Sequence, residues 1–582
     1  QDAQSAMLSG GSDSRVRVTG DLNHAIESID GAALRLNVVY DKGDRPSRDV
    51  ADFQKWGVAP AFALGLGTQT RAYFNYLFLK QGNTPDGGIP TVGLIGYTGN
   101  NASAAVNAAL NSAAPVRREN YYGSSSDYEN VTTNMFTARL EHDFSDSTTI
   151  RNTSRYGRNT LDRLLTGTVG LANISTGTGA TALPTSPAVW QVARSRQRRD
   201  EVTEILTNQT NLTSVFSTGS VGHSISTGVE FLYENSLVRG YTAAGTTPAA
   251  NLYAPNRADP MSGFIRNGGA TEGNTVTGAV YAFDTLQFSE QWLLNVGVRF
   301  DHYRTESTSV PATATPPAAS TFIEGSGNLL TYKTGLIFKP VETGSIYLAY
   351  ASSEQPPGGA NFTLNAGATN VNNPNLDPQE AVNIELGTKW EFFDRRLMLT
   401  GAVFDTRNKN DLATQDPVTL VVTQLGERKV RGVELGASGS ITPNWQINAG
   451  ISKLDTEVTE GTTGAANATQ GAALTYTPDL TFTTFTTYRF PFGLTVGGGA
   501  RYTDAQFRNG SALQATQTQL AVNPDAWVFD LMASYAISEK ASLQFNAYNI
   551  ADEFYLSTLN NGGSRYTLGA PRTFLLSAKL AF

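Results

Sequence analysis

Arginine and aromatic side chains recur together in the polar stretches that separate the apolar segments of this chain. One stretch carries Tyr97, Arg117, Arg118, Tyr121, Tyr122 and Tyr128; others carry Trp190, Tyr253, Arg257, Phe264, Arg266, Gln355, Asn361, Arg565 and Tyr566. A guanidinium is a flat, permanent cation and an aromatic ring offers a face for stacking, so such a set can hold an anionic, ring-bearing ligand. Covalent catalysis finds no comparable support. The four histidines, His24, His142, His223 and His302, are scattered without metal-ligand spacing, and no nucleophile elbow or phosphate-cradling loop occurs. Zero cysteine removes disulfides and thiolate metal sites and suits a chain that crosses an oxidising compartment. The expectation is a binding protein, not an enzyme, with no metal site and no cofactor of its own.

The elements that must position these residues alternate with a period of two. In the last segment Phe574, Leu576, Ala578, Leu580 and Phe582 share one side, and Leu575, Ser577, Lys579 and Ala581 the other. The same alternation runs through Trp292–Asp301, Val382–Trp390, Trp445–Ser452 and Leu543–Tyr548. A wholly apolar face backed by a mostly polar one, over strands of roughly 10–18 residues, is what a lipid-facing, lumen-backed barrel strand requires. No run of about 18 apolar residues exists that could form a membrane helix. The 582 residues show no interdomain joints, and a net charge of -8 argues against a nucleic-acid partner.

Connections alternate between tight turns, such as Ser145–Ser147, Val341–Gly344 and Phe393–Arg396, and long polar loops, such as Gly82–Asn130, Thr166–Gln191 and Ala243–Gly273. Short periplasmic turns and long extracellular loops are the standing asymmetry of outer-membrane barrels. Trp292, Trp390 and Trp445 all lie within a few residues of a tight turn, which predicts an aromatic girdle at the inner interface. If the final strand runs inward, counting backwards gives about 21 strands. An even number is required, so Asp2–Ser9 is expected to supply one more, for an all-β transmembrane antiparallel barrel of about 22.

Several segments carry a family resemblance: Tyr350–Pro357 (YASSEQPP), Leu376–Trp390 (LDPQEAVNIELGTKW), Arg431–Leu454, Asn549–Tyr555 (NIADEFY) and Gly569–Phe582 (GAPRTFLLSAKLAF). Together they resemble the barrel of TonB-dependent outer-membrane receptors. Asn83–Pro90 (NTPDGGIP) is similar to the first large loop of the catecholate siderophore receptors within that family. The resemblance implies a monomer in the outer membrane of a Gram-negative cell, surrounded by lipid and lipopolysaccharide, that captures a ferric siderophore in its loops. Uptake would be energised by the TonB complex acting on a plug domain. On this reading residues 1–582 are the barrel domain, and the plug, the TonB-binding segment and the signal peptide belong to a longer protein. Arg299, Asp301, Glu385, Lys389 and Glu434 are then expected to line the lumen and to meet the plug.

The resemblance also gives the arginine and aromatic set its ligand, an anionic, catechol-rich iron complex that arrives already chelated. Taken singly, each of those residues is expected to pack loops together or to touch lipopolysaccharide; as a set, some should meet cargo. Two other functions fit the same barrel: a receptor for a different cargo, such as another siderophore, cobalamin or a sugar, and a passive porin.

Overall fold

The structure is a computed structural model and describes residues 3–99, 104–171, 187–313, 319–358, 362–367, 370, 372–414, 422–461, 469–508 and 519–582. Its spanning strands are β1 Ala3–Gly11, β2 Val16–Ala25, β3 Ala33–Asp44, β4 Asp52–Leu64, β5 Thr70–Asn83, β6 Tyr128–Ser145, β7 Thr148–Leu171, β8 Gln191–Thr218, β9 Val221–Ala244, β10 Gly263–Gln287 and β11 Trp292–Val310. The second half comprises β12 Thr321–Val341, β13 Gly344–Gln355, β14 Gln379–Phe392, β15 Leu397–Thr414, β16 Val422–Thr442, β17 Trp445–Glu460, β18 Leu480–Arg489, β19 Leu494–Thr503, β20 Ala526–Ala536, β21 Ala541–Tyr548 and β22 Thr573–Ala581. Each pairs antiparallel with the next, and β1 pairs with β22, so 22 strands close on themselves. The predicted first strand is there, beginning one residue and ending two residues later than expected.

Closure removes the sheet edge, which lipid cannot satisfy with hydrogen bonds. At the seam the Ser9 and Ser577 hydroxyls lie 2.8 Å apart and are both buried. The Phe582 amide donates to the Gln4 carbonyl at 2.9 Å. Phe574, Leu576 and Leu580 point the other way and are exposed, as lipid-facing side chains of an isolated barrel must be.

The same phase runs round the wall. On β11 Trp292, Val296, Val298 and Phe300 are exposed on one face, while Arg299 and Asp301 occupy the other. The apolar phase spans Trp292 to Phe300 and gives way to His302 and Arg304, so the lipid band is about 25 Å tall. Five of the six tryptophans mark its limits. Trp292, Trp390 and Trp445 sit at the inner edge; Gly344 has no side chain because the Trp390 ring lies where its Cβ would be, 2.3 Å away. Trp56, tilted against Phe78 with ring centroids 4.9 Å apart, and Trp527, near Tyr502 and Phe529, mark the outer edge.

Two expectations about connections need correction. The outer loop between β1 and β2 is itself tight, turning at Asp13 and Ser14 with φ of 56° and 53°. The stretch predicted as loop from Ala243 to Gly273 is strand at both ends, since β9 runs to Ala244 and β10 begins at Gly263. Alternation there is polar on both faces and so carries no lipid signature, yet backbone pairing continues above the bilayer.

Candidate functional site

The extracellular loops fold over the mouth as a cap with its own apolar core. Residues 84–127, 187–190, 245–262, 519–525 and 549–572 contribute Ile89, Val92, Leu110, Trp190, Leu252, Leu520, Leu556 and Tyr566, all buried together. The loops need this core because their backbones are too long to be satisfied by strand pairing alone. Short ladders stitch them: Ile89–Pro90 pairs with Arg565–Tyr566, and Tyr97–Thr98 with Gln519–Leu520.

The segment Asn83–Pro90 is a structural joint of this cap. Its Asp86 carboxylate holds the buried Arg48 guanidinium at 2.7 Å and accepts from the Gly88 amide at 3.1 Å. Gly87 rests directly on β7, where an added Cβ would come within 2.1 Å of the Thr166 carbonyl oxygen. Nearby, the buried Asp127 accepts from the Thr166 amide and hydroxyl, both at 2.9 Å, tying the loop to the wall.

This architecture redistributes the sequence-derived candidates. Tyr121, Tyr122, Trp190 and Tyr566 are buried within the cap, and Tyr97 and Tyr253 pack against its core. The Tyr122 hydroxyl donates to the Leu252 carbonyl at 2.5 Å and Tyr121 to the Pro85 carbonyl at 3.2 Å. Tyr121, Tyr122, Trp190 and Tyr566 therefore offer no open face, while Tyr97 and Tyr253 stay half-buried. Arg565 donates to the Thr168 carbonyl at 2.6 Å and lines a cavity of about 250 Å³ with Asp86, Gln197 and Tyr566. Arg118 reaches Glu119 at 3.3 Å and Asp552 at 3.8 Å. Tyr128, Phe264 and Arg266 stand on the flanking strands; Arg266 pairs with Tyr241, and Arg198 lies over the Tyr241 and Tyr128 rings. Arg117, Arg257 and Gln355 remain exposed. Asn361 lies outside the described residues.

Burial pushes the hydroxyls of Tyr97, Tyr122 and Tyr566 up to about 12, and those of Tyr121 and Tyr253 upward as well. An unfolded tyrosine ionises near 10. The cap's stability is therefore intact below pH ~10 and falls from there until about 12, because the opened loops release these protons first. A spectrophotometric titration of tyrosinate should show a late-ionising class whose appearance coincides with proteolytic sensitivity of the loops. A single class near 10 with the loops still protected would contradict the packing.

Inside the barrel the five predicted lumenal residues share the polar face; Arg299 and Asp301 pair with each other, and the rest meet neighbours on the wall. Arg299 binds Glu230 at 2.9 Å and Asp301 at 2.7 Å. Glu385 accepts from the Tyr347 hydroxyl at 2.6 Å, Lys389 lies 5.5 Å from the Tyr347 ring centroid, and Glu434 accepts from Ser452 at 3.3 Å. Two further groups escaped sequence reasoning. Glu141 is surrounded by Arg71, Arg139 and Arg151 near the periplasmic end, and Asp41 by Arg15, Arg17 and Lys55 near the mouth. All lie in the lumenal phase of their strands, a signal that strand parity contained. The histidines stand apart: His142 meets Thr70, His223 meets Asp284 and His302 meets Asn328.

Comparison with known proteins agrees with this geometry. The family described as TonB dependent receptor-like, beta-barrel, matches residues 55–550. The chain belongs to the TonB-dependent receptor β-barrel family. It is a barrel of the outer membrane. The receptor is 39% identical to the catecholate siderophore receptor Fiu of Escherichia coli K12 over 97% of this chain and 74% of that protein. It is 30% identical to the probable TonB-dependent siderophore receptor PiuA of Acinetobacter baumannii over 94% of this chain and 73% of that one. The crystal structure of E. coli Fiu in its closed form superposes with a TM-score of 0.92 at 38% identity, covering 100% of this chain and 82% of that one. The open form gives 0.85 with the same coverage.

Proposed function

We propose that the receptor imports ferric siderophores of the catecholate type, energised through TonB. The observation that carries this reading is the cap. Five extracellular loops share one apolar core, and the chain as a whole superposes better on the closed than on the open form of the ferric-catecholate receptor it resembles. A cap packed this way admits cargo only by opening, whereas a passive porin needs a standing path. The cargo comes with its iron chelated, so the protein's work is binding, orientation and passage, with no bond made or broken in the ligand. Arg117 and Arg257, exposed on the cap, and Gln355, exposed on the opposite rim, would meet an anionic chelate first.

The Arg299, Glu385, Lys389 and Glu434 groups would face a plug supplied by an amino-terminal part of the full protein, which also carries the TonB-binding segment. Lumenal charges of this kind need partners when water is displaced. The receptor would work as a monomer, with the tryptophan girdles in lipid and the tall outer faces of β7–β10 among lipopolysaccharide. The test is growth: the full-length protein should restore use of ferric catecholates to a receptor-deficient strain only when TonB is present. Restoration with another cargo alone, or without TonB, would overturn the reading.

A further inference from the structure

One charged pair of the wall lies on its lipid-facing side. Asp284 of β10 shares the outward phase with Val280 and Ala282, and it stands opposite Ile225 of β9 and Val296 of β11. A carboxylate on this phase is costly unless something answers it. His223 of β9 answers half of it. Its Nδ1–H donates to Asp284 Oδ2 at 2.7 Å, its Nε2 lies 2.6 Å from the Thr218 hydroxyl, and the Phe216 ring stacks on it with centroids 4.9 Å apart. Both side chains are largely covered, with 15% of His223 and 19% of Asp284 exposed. The other carboxylate oxygen, Oδ1, is buried with no hydrogen-bond partner among the described residues, where His223 alone pairs with Asp284.

The depth of the pair limits what can supply the missing donor. His223 stands opposite Leu286, and Leu286 opposite Leu294, two residues above Trp292 of the inner girdle. Along a tilted strand that is about 5 Å above the ring, within reach of headgroups of the periplasmic leaflet. A headgroup ending in a primary ammonium brings three N–H donors and the opposite charge.

Directly above the pair the wall recedes. The small side chains of Thr210, Thr227 and Ala282 alternate with Leu212, Val229, Val280, Val298 and Phe300 around a groove of about 520 Å³. Ala282 follows Asp284 on the outward phase, so the groove begins where the charged pair ends. Its two hydroxyls are already bound, Thr210 to the Asn152 amide and Thr227 to the Tyr281 carbonyl, both at 2.8 Å. Beyond Val280, a Cβ on Gly278 would meet nothing within 4 Å, which keeps the upper end open. A polar end at the periplasmic girdle and an apolar run toward the bilayer centre match a phospholipid of the inner leaflet. Lipid of the outer leaflet would lie the other way up.

We infer that His223, Asp284 and the groove above them bind one phospholipid of the periplasmic leaflet that carries a primary-ammonium headgroup. The ammonium donates to Asp284 Oδ1, and an acyl chain lies between Val229, Val280, Val298 and Phe300. The site is on the outside of the wall and does not depend on the uptake reading.

The test is native mass spectrometry of the full-length receptor, released from bilayers of phosphatidylethanolamine and phosphatidylcholine with the same acyl chains. The receptor should retain one phosphatidylethanolamine, favoured on the order of tenfold over phosphatidylcholine, whose trimethylated nitrogen has no N–H. Asp284→Asn, which keeps the shape and removes the charge, should abolish that preference. Ala282→Leu, which fills the groove, should lower retention of both lipids. Equal retention of the two by the unsubstituted receptor, or a preference that survives Asp284→Asn, overturns the inference. Retention of phosphatidylglycerol to the same level would show that a hydroxyl serves as well, and the ammonium assignment falls. A receptor that emerges as a dimer and separates on Ala282→Leu makes this face a contact between copies, which also overturns it.

Discussion

Trp190→Ala should loosen the loop cap by about 3–5 kcal/mol while leaving the transmembrane wall as stable as before. Trp190 is 2% exposed and shares its core with Tyr122, Leu252 and Tyr566. Its carbonyl also accepts from the Leu252 amide at 2.8 Å, so loss of the ring releases the strap that carries the Tyr122 hydroxyl bond. The cavity left by an indole is too large for neighbouring loops to fill without shifting. Limited trypsin digestion should then cut at Arg117 and Arg257, which already stand exposed, while heat-resistant migration of the barrel is unchanged. A variant with intact, protease-resistant loops but lost cargo binding would instead make Trp190 a stacking face for ligand.

Glu141→Gln should act on the wall. Arg151 reaches the Glu141 carboxylate at 2.6 Å, with Arg71 and Arg139 both at 3.3 Å, and the carboxylate is 7% exposed. Arg71 also binds Asp143, and Arg139 lies 4.1 Å over the Tyr73 ring, so the guanidiniums cannot swing away without breaking other contacts. Neutralising the carboxylate leaves three cations crowded around an amide. Breaking a fully buried pair costs about 3–5 kcal/mol; lumenal water reaches the half-exposed Arg151, so about 2–3 kcal/mol is expected here. Urea unfolding in lipid vesicles should show the loss, and Glu141→Asp should recover part of it. An unchanged midpoint for Glu141→Gln would mean that the cluster is solvated and structurally idle.

The barrel itself was legible because its physics repeats. Lipid demands one apolar face per strand, closure demands an even count, and the inward final strand orders the hairpins, which is why a strand near Asp2–Ser9 was required and Ala3–Gly11 supplies it. Strand ends above the bilayer were not legible, since Ala243–Gly273 has no lipid face to reveal its pairing. The loop aromatics were misleading for a related reason. Residue type marks Tyr122, Trp190 and Tyr566 as able to stack on a ligand, but only the apolar neighbours Ile89, Leu110, Leu252 and Leu520 show that they are buried in one core. The Asp41 cluster depends on cross-strand register: Asp41 stands opposite Arg17 and Lys55 only once β2, β3 and β4 are aligned. Parity could place all three in the lumen, yet the alignment that brings them within ion-pair distance is tertiary information.

Uptake of radiolabelled iron supplied as a ferric catecholate, in cells carrying the full-length receptor, is the most direct test of the central claim. The account predicts accumulation that saturates with chelate and stops when TonB is deleted or the proton gradient is collapsed. Accumulation that proceeds unchanged without TonB would make this barrel a passive pore and contradict the account.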